Sequence, residues 1–361
     1  MKVFGGIQQL GIGVADAPAA FEWYARHLGF DVPLFDDEGT AALMLPYTGG
    51  EARDRRAILA LNLRGGSGLE IWQYRGREPL PPAGPPLLGD LGILAARLRA
   101  PDLEGARSAL TGAGSIASDP GGARHFEIRD PWGNALEIVE GAAAFSAKGT
   151  ATAGVSGALV GVSDIGASLP FWSGVLGYDL AVYDRSGTFD DLRAFPGGEE
   201  RYRRVLLARS APPKGPFSPL VGTSEIELVQ ALDRRPRRLF EGRFWGDLGF
   251  IHLCFDVGGM DEWRRDCAAA GRPFTVDSAA GGASFDMGKA AGRFAYVEDP
   301  DGTLVELVET HRIPIAAKFG LSIDLRRRDP EKPLPRAMIR LLGLARRRFP
   351  RADEVEPVRS S

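Results

Sequence analysis

The sequence predicts an α+β fold made of four copies of one βαβββ module, and two internal repeats carry this prediction. Residues 14–30 reappear without a gap as residues 162–178, at an offset of 148. Residues 89–92 (GDLG) reappear as 246–249, and this match continues at an offset of 157. Similarity at fixed offsets indicates repeated structural units. We number these units module 1 to module 4 along the chain.

The order of elements is clearest in module 1. Residues 7–14 alternate between apolar and polar side chains, as a half-buried strand does. Asp16 is a plausible helix N-cap, and Phe21 and Tyr24 mark an apolar stripe at helical spacing. Gly29 follows as a helix stop that tolerates a left-handed backbone. Three strands bounded by glycine-rich turns complete the pattern.

The last strand of each module carries a glutamate among apolar residues. In modules 2 and 4 this strand follows an Asp-Pro-x-Gly turn and contains Glu137 or Glu306. Comparable strands end modules 1 and 3, with Glu70 and Glu227. A carboxylate in an apolar strand is costly unless it is paired or bound to a metal. These four glutamates are therefore the first candidates for functional residues.

The repeats divide the chain into two halves and a tail. We expect an N-terminal domain over residues 1–142 from modules 1 and 2, and a C-terminal domain over 150–313 from modules 3 and 4. Residues 143–149 form a small, polar linker between them. Residues 314–361 are an Arg-rich tail with one short apolar-striped helix, which we expect to dock on the body of the protein.

Composition excludes several classes of protein. The 361 residues are 44% hydrophobic and 25% charged, which is typical of a soluble globular protein. The net charge of −3 disfavours a dedicated nucleic-acid binder. No membrane-spanning stretch or secretory signal is recognisable, and two cysteines, Cys254 and Cys267, are too few for a disulfide framework. We therefore expect a cytoplasmic protein that acts on a small molecule, as a monomer or homodimer.

This organisation resembles the vicinal oxygen chelate superfamily, the glyoxalase/bleomycin resistance/extradiol dioxygenase fold. The features that carry the resemblance are the V-x-D start, the aromatic helix ending in LGF or LGY, and DPxG before a Glu-bearing strand, over residues 5–311. In that family two modules form one curved sheet around a cleft. The resemblance implies a divalent metal held by the first and last strand of each module, and a substrate that binds through two adjacent oxygens.

The family's four ligand positions can be placed in each half of this chain. In the N-terminal half they are Gln9, Glu70, Ala95 and Glu137. In the C-terminal half they are Gly157, Glu227, His252 and Glu306. The resemblance therefore implies a metal site at Glu227, His252 and Glu306, with a degenerate N-terminal cleft. One imidazole and two carboxylates suit Zn, Ni, Mn or Fe, and three protein ligands are typical of a catalytic metal.

The ligand set favours isomerase or lyase chemistry of the glyoxalase or epimerase type, with Glu306 as the general base. One alternative is an Fe(II) dioxygenase of the 4-hydroxyphenylpyruvate dioxygenase or extradiol type. The two-domain layout favours it, but those enzymes use two imidazoles, and Gly157 occupies the place of the first. The other alternative is a metal-free small-molecule binding protein.

Other side chains near these positions have two interpretations. Strand alternation places Cys254 and Asp256 beside His252, and we expect them, with Arg204, to contact the substrate. The alternative to metal binding by the buried glutamates is that they form ion pairs with arginines of the preceding strand, such as Arg204. We interpret His125 as an ordinary surface or cleft-edge residue.

Overall fold

The computed structural model describes residues 1–279, 285–286, 291–316 and 321–349. Within these ranges four βαβββ modules follow one another, as the repeats predict. The elements of module 1 are β1 (Val3–Gly13), α1 (Ala17–Leu28), β2 (Val32–Thr40), β3 (Asp54–Leu61) and β4 (Gly68–Tyr74). Those of module 2 are β5 (Gly92–Ala100), α2 (Leu103–Ala109), β6 (Ala117–Ser118), β7 (Arg124–Arg129) and β8 (Ala135–Glu140).

The second half repeats the pattern with small variations. Module 3 contains β9 (Val155–Gly161), α3 (Ile165–Leu169) with a π-helical extension (Pro170–Val175), β10 (Leu180–Gly187), β11 (Tyr202–Ala208), α4 (Ser218–Val221) and β12 (Glu225–Ala231). Module 4 contains β13 (Gly249–Gly258), α5 (Met260–Ala269), β14 (Val276–Asp277), β15 (Phe285–Asp286), β16 (Ala291–Glu298) and β17 (Leu304–Ala316). The tail adds β18 (Leu321–Asp324) and α6 (Arg336–Arg340), which continues as a 3-10 turn (Leu341–Ala345).

The helix boundaries follow local sequence signals. The Asp16 carboxylate accepts a hydrogen bond from the backbone N–H of Ala19 at the start of α1. Asp102 and Asp164 cap α2 and α3 in the same way. Gly29 ends α1 with a φ of 76°, a left-handed conformation that glycine adopts without steric cost. The predicted cap and stop are both present.

The strands form two sheets, and each sheet combines one module from each half of the chain. Sheet I joins modules 1 and 4 in the order β14-β16-β17-β13-β1-β4-β3-β2. The short strands β15 and β18 pair with β16 and β17, respectively. Sheet II joins modules 2 and 3 in the order β10-β11-β12-β9-β5-β8-β7-β6. The expected pairing of modules 1 with 2 and 3 with 4 is therefore wrong. The first strands meet at the centre of each sheet, β1 against β13 and β5 against β9.

The repeats cannot distinguish these two pairings. Modules 1 and 3 match each other, and so do modules 2 and 4, so either arrangement places one module of each kind in every sheet. The decision comes from packing along the central seams. At the seam of sheet I the ring of Phe4 contacts Phe255 and Trp263, together with Tyr178 from module 3. Residues 141–154 connect two modules of the same sheet rather than two domains.

One large apolar core contains residues of all four modules, and a smaller one includes the tail. Leu334 and Ile339 of the tail are buried against Leu59, Leu61 and Ile313 of sheet I. The short tail helix therefore docks on the body, while residues 317–320 and 350–361 of the predicted tail lie outside the described residues. No described helix is long and apolar enough to cross a membrane.

Candidate metal centre

Four polar side chains from four strands converge on the inner face of sheet I. Gln9 and Glu70 come from β1 and β4 of module 1, and His252 and Glu306 come from β13 and β17 of module 4. Parallel pairing aligns Glu70 with Gly11 of β1. It also aligns Glu306 with Cys254, which lies two residues after His252. The backbone register of the sheet thus brings the four side chains together.

His252 lies between the two carboxylates. Its Nε2 atom is 3.2 Å from Oε2 of Glu70 and 3.2 Å from Oε2 of Glu306. The Gln9 amide donates a hydrogen bond of 3.4 Å to the same oxygen of Glu70. Donor atoms of Glu70, His252 and Glu306 all lie within 4.8 Å of one another, a separation that one cation could bridge.

The surroundings of His252 fix its ring and its charge. The imidazole is fully buried between the Trp245 ring, stacked at 6.1 Å, and the Tyr296 ring, edge-on at 5.6 Å. Burial opposes protonation, but the carboxylates of Glu306 and Glu70 outweigh it and raise the pKa of His252 to about 9. Two carboxylates that favour a cation at this point would equally favour a metal ion.

Unsatisfied atoms indicate that the cluster fits a divalent ion. Among the described residues, no hydrogen-bond partner reaches Oε1 of Gln9 or Nδ1 of His252, although both are buried, whereas Nε2 of His252 and Oε2 of Glu306 contact each other as an ion pair. Buried polar atoms without partners are rare and costly. An imidazole nitrogen, two carboxylates and an amide oxygen are ligands that Zn, Ni, Mn or Fe accepts. The chemistry of these donors therefore fits the metal that the resemblance implies.

A cavity of about 330 Å³ opens beside the cluster. Gln9, Glu70 and Glu306 line one end of it, with Trp72 and Tyr296 next to them. Other parts of the lining come from β2, β3, α4 and the tail. Gln9, Glu70 and Glu306 therefore face a cavity that can hold a small molecule.

The sequence-predicted ligands do not all meet at this centre. His252 and Glu306 do, but Glu227 lies on β12 in sheet II, and Glu70 stands in its place in sheet I. Arg204 also belongs to sheet II, where its Nε atom donates to Glu227 at 2.6 Å. The expected triad of Glu227, His252 and Glu306 is therefore not assembled. Its separation follows directly from the pairing of the modules.

The other two predicted contact residues lie in sheet I without lining the cavity. Cys254 is buried opposite Gln9, with its Sγ atom 3.8 Å from the amide oxygen of Gln8. Asp256 is buried against the backbone of Gly5, where burial raises the pKa of its carboxyl to about 7. Neither residue is among those that line the cavity.

Sheet II has glutamates at the same two positions, but there they pair with arginines. Glu227 aligns with Leu159, which lies opposite Ala95, and Glu137 aligns with Arg97. Glu70 and Glu306 hold the corresponding positions in sheet I. The Arg97 guanidinium lies 3.0 Å from Glu137 and 3.6 Å from Glu227. Arg204 adds a second cation against Glu227. Arginines therefore supply in sheet II the positive charge that a metal would supply in sheet I.

Three substitutions explain this difference between the clefts. Ala95 replaces His252, and Leu159 opposite it replaces Gly11, so a leucine stands where sheet I has room for an imidazole. Gly157 replaces Gln9, and a Cβ atom there would lie 2.2 Å from the backbone carbonyl oxygen of Glu225. The backbone of β12 therefore leaves no room for a side chain at this position. Sheet II is consequently a cleft closed by ion pairs, as the alternative interpretation of its buried glutamates proposed.

His125 belongs to this network, and the expectation that it is a surface or cleft-edge residue is wrong. It is only 2% exposed, with Nδ1 at 2.9 Å from Glu137 and Nε2 at 3.4 Å from Asp191. Burial lowers its pKa, but Asp191 and Glu137 outweigh this effect and raise the pKa to about 10. Arg97 and Arg204 are the cations on the far side of the same carboxylates.

We predict a pH-dependent contribution of His125 to stability. Because the folded pKa is raised above the unfolded value of about 6.5, this stabilisation is complete below pH 6.5 and is lost as pH rises towards 10. The loss should reach at most about 1.4 kcal/mol per pH unit. Urea unfolding at pH 6, 8 and 9.5 should show a smaller decline for His125→Gln than for wild type. Equal declines in the two proteins would contradict the prediction, since His252 contributes to both.

Sequence reasoning assigned Gln9 and Glu70 to a degenerate cleft and overlooked Gly11 and Arg97. One feature of the sequence indicates the correct assignment of Gln9 and Glu70. Exchanging the module partners collects Gln, Glu, His and Glu in one cleft and leaves the other without an imidazole ligand. Arg97 also stands at the position of Cys254, on the strand face that carries the ligands.

Comparisons with known proteins agree with this architecture. The family model described as the Glyoxalase/Bleomycin resistance protein/Dioxygenase superfamily matches residues 6–138 and 154–307. A putative dioxygenase from Bacillus subtilis subsp. subtilis str. 168 is 14% identical, with 86% of each chain covered and a TM-score of 0.55. Glyoxalase I from Zea mays is 13% identical, with 86% of this chain and 92% of that chain covered and a TM-score of 0.53. No curated protein sequence matches.

Proposed function

Because this chain belongs to the Glyoxalase/Bleomycin resistance protein/Dioxygenase superfamily, we propose that it is a metalloenzyme of the isomerase or lyase type whose active site is the cluster in sheet I. The observation that carries this proposal is the convergence of Gln9, Glu70, His252 and Glu306 beside a cavity, with donor atoms of Glu70, His252 and Glu306 within 4.8 Å of one another. This centre replaces the triad expected from the linear halves of the chain.

The four side chains would hold one divalent cation. That cation would act as a Lewis acid on a carbonyl or hydroxyl oxygen of the substrate. The protein would contribute a ring fixed between two aromatic side chains, two carboxylates that balance the charge of the ion, and a wall of apolar residues that excludes water. Preorganised charge in a dry site is worth far more than the same charge in water.

Glu306 is the better candidate for the general base. Both Glu70 and Glu306 lie 3.2 Å from Nε2 of His252, and Oε2 of Glu70 also accepts a hydrogen bond from the Gln9 amide. A cavity-lining carboxylate without that amide bond can reach a C–H next to a carbonyl and move that proton. Glu306 would thus remove or return the proton, and Glu70 would stay with the cation.

The ligand chemistry disfavours the dioxygenase alternative. Non-haem Fe(II) oxygenases use two imidazoles and one carboxylate. The cluster in the described part of the chain offers one imidazole and two carboxylates. The two-domain layout that favoured an oxygenase is shared by both structural neighbours, so it does not separate the two activities.

The test is metal content by elemental mass spectrometry on wild type, Glu70→Gln and Glu227→Gln. These are matched substitutions at equivalent positions of the two sheets. We expect about one equivalent in wild type and Glu227→Gln, and loss of the ion in Glu70→Gln. The reverse pattern would restore the triad with Glu227, and no metal in any protein after incubation with Zn, Ni or Mn would overturn the proposal. Circular dichroism checks that each variant is folded.

Activity then separates the reaction classes. The loaded protein is incubated in D2O with a panel of 2-hydroxy carbonyl compounds, and exchange of the C–H hydrogen is followed by NMR. Exchange supports proton transfer at this centre. Bound Fe with oxygen uptake and no exchange would support the dioxygenase alternative instead.

A further inference from the structure

We infer that the substrate of the candidate metal centre has an uncharged, apolar body that fills the cavity in sheet I. This inference rests on the proposed function, because the candidate metal centre makes this cavity a substrate site. The composition of the cavity wall carries the rest of the argument.

The lining of the cavity beyond the candidate ligands is largely apolar and comes from three parts of the chain. Leu59 and Leu61 of β3 contribute from module 1, Phe217 and Leu220 from around α4 of module 3, and Leu342 from the tail. These residues belong to, or pack on, one continuous apolar cluster. A substrate body that extends away from the metal-binding side chains therefore meets aliphatic and aromatic side chains on several sides.

The charged groups of the cavity are already paired. Arg55 is the cation among the described residues that line it, and its Nη1 atom donates to the Asp37 carboxylate and backbone oxygen at 2.9 and 2.8 Å. The carboxylates of Glu70 and Glu306 would balance a divalent ion held by the candidate metal centre. A charged group on the substrate body would lose its hydration without gaining a partner, which costs several kcal/mol for an unpaired charge.

The size of the cavity limits the substrate. Its volume of about 330 Å³ lies at the lower end of the range for drug-sized ligands. A single aromatic ring system or a medium-length alkyl chain fits this space. A peptide-like tail with ionised ends does not match the described wall in size or charge.

The test uses n-alkyl hydroxamates, whose head group offers two adjacent oxygens to a metal while the tail length varies. Calorimetry on the metal-loaded protein measures the affinity of the acetyl to decanoyl members. Each buried methylene should tighten binding roughly fourfold until the cavity is full. A carboxylate at the end of the longest chain that fits should weaken binding at least tenfold.

Two leucines of the tail provide a matched pair of variants. Leu342 lines the cavity, whereas its neighbour Leu341 is 42% exposed and is absent from the lining. Leu342→Ala should weaken the long hydroxamates several-fold and leave the acetyl member unchanged. Leu341→Ala should bind the whole series as wild type does.

The outcomes separate this inference from the proposed function. Hydroxamates that bind with the same affinity at every tail length would overturn the apolar substrate while supporting the metal centre. Absence of metal would overturn the proposed function. In that case plain n-alkanols still probe the cavity through Trp72 and Trp245 fluorescence, and a failure of affinity to rise with chain length would overturn the apolar cavity as well.

Discussion

Replacing Arg97 with alanine should lower the free energy of unfolding by about 3–5 kcal/mol, the range measured when one partner of a buried ion pair is removed. The guanidinium is 1% exposed and lies between the carboxylates of Glu137 and Glu227. Burial opposes charge on Glu137, but Arg97 and His125 outweigh it and hold its pKa below the ordinary range. Without Arg97, two carboxylates in an apolar sheet lose a shared cation.

Urea unfolding at pH 7 measures this loss. Arg201→Ala is the control, because Arg201 is exposed just before β11 of the same sheet and pairs with Asp233 at 3.5 Å. Exposed pairs contribute about 0–1 kcal/mol, so the control should change little. A loss below about 1 kcal/mol for Arg97→Ala would mean that the network in sheet II does not depend on this residue. Metal content should be unchanged in any folded fraction, because the candidate metal centre lies in the other sheet.

Replacing Gly11 with alanine should weaken metal binding by about 10–100-fold, the range found when a group that orients a metal ligand is lost. Gly11 lies directly opposite His252 in the central seam of sheet I. A Cβ atom there would lie 2.6 Å from Nδ1 and 2.7 Å from Nε2 of the imidazole. The ring must therefore move away from Glu70 and Glu306, although no ligand is changed.

Competition with a chelator of known affinity measures the metal dissociation constant. Gly174→Ala is the control, since a Cβ atom on Gly174 meets no heavy atom of the described chain within 4 Å. It should bind metal as wild type does. Wild-type affinity in Gly11→Ala would show that His252 tolerates the displacement or is not a ligand. Thermal unfolding of both variants separates displacement of the ring from loss of the fold.

The sequence by itself determined the module, its number and the candidate side chains. Two offsets in the chain identified four copies, and the capping aspartate and the stop glycine placed the first helix correctly. These features are local, because a cap or an apolar stripe depends on residues within a few positions. Every side chain of the candidate metal centre was also among the ligand positions that the family resemblance implies.

Only the tertiary structure decided which modules share a cleft. Modules 1 and 3 are alike, as are modules 2 and 4, so the repeat pattern is the same for either pairing. The choice depends on side chains that meet across the seams, such as Phe4 with Phe255 and Gly11 with His252. These contacts join residues about 240 positions or more apart, and no repeat or local pattern in the sequence predicts them. Because of that choice, Glu70 rather than Glu227 faces His252, and Glu227 is paired with two arginines.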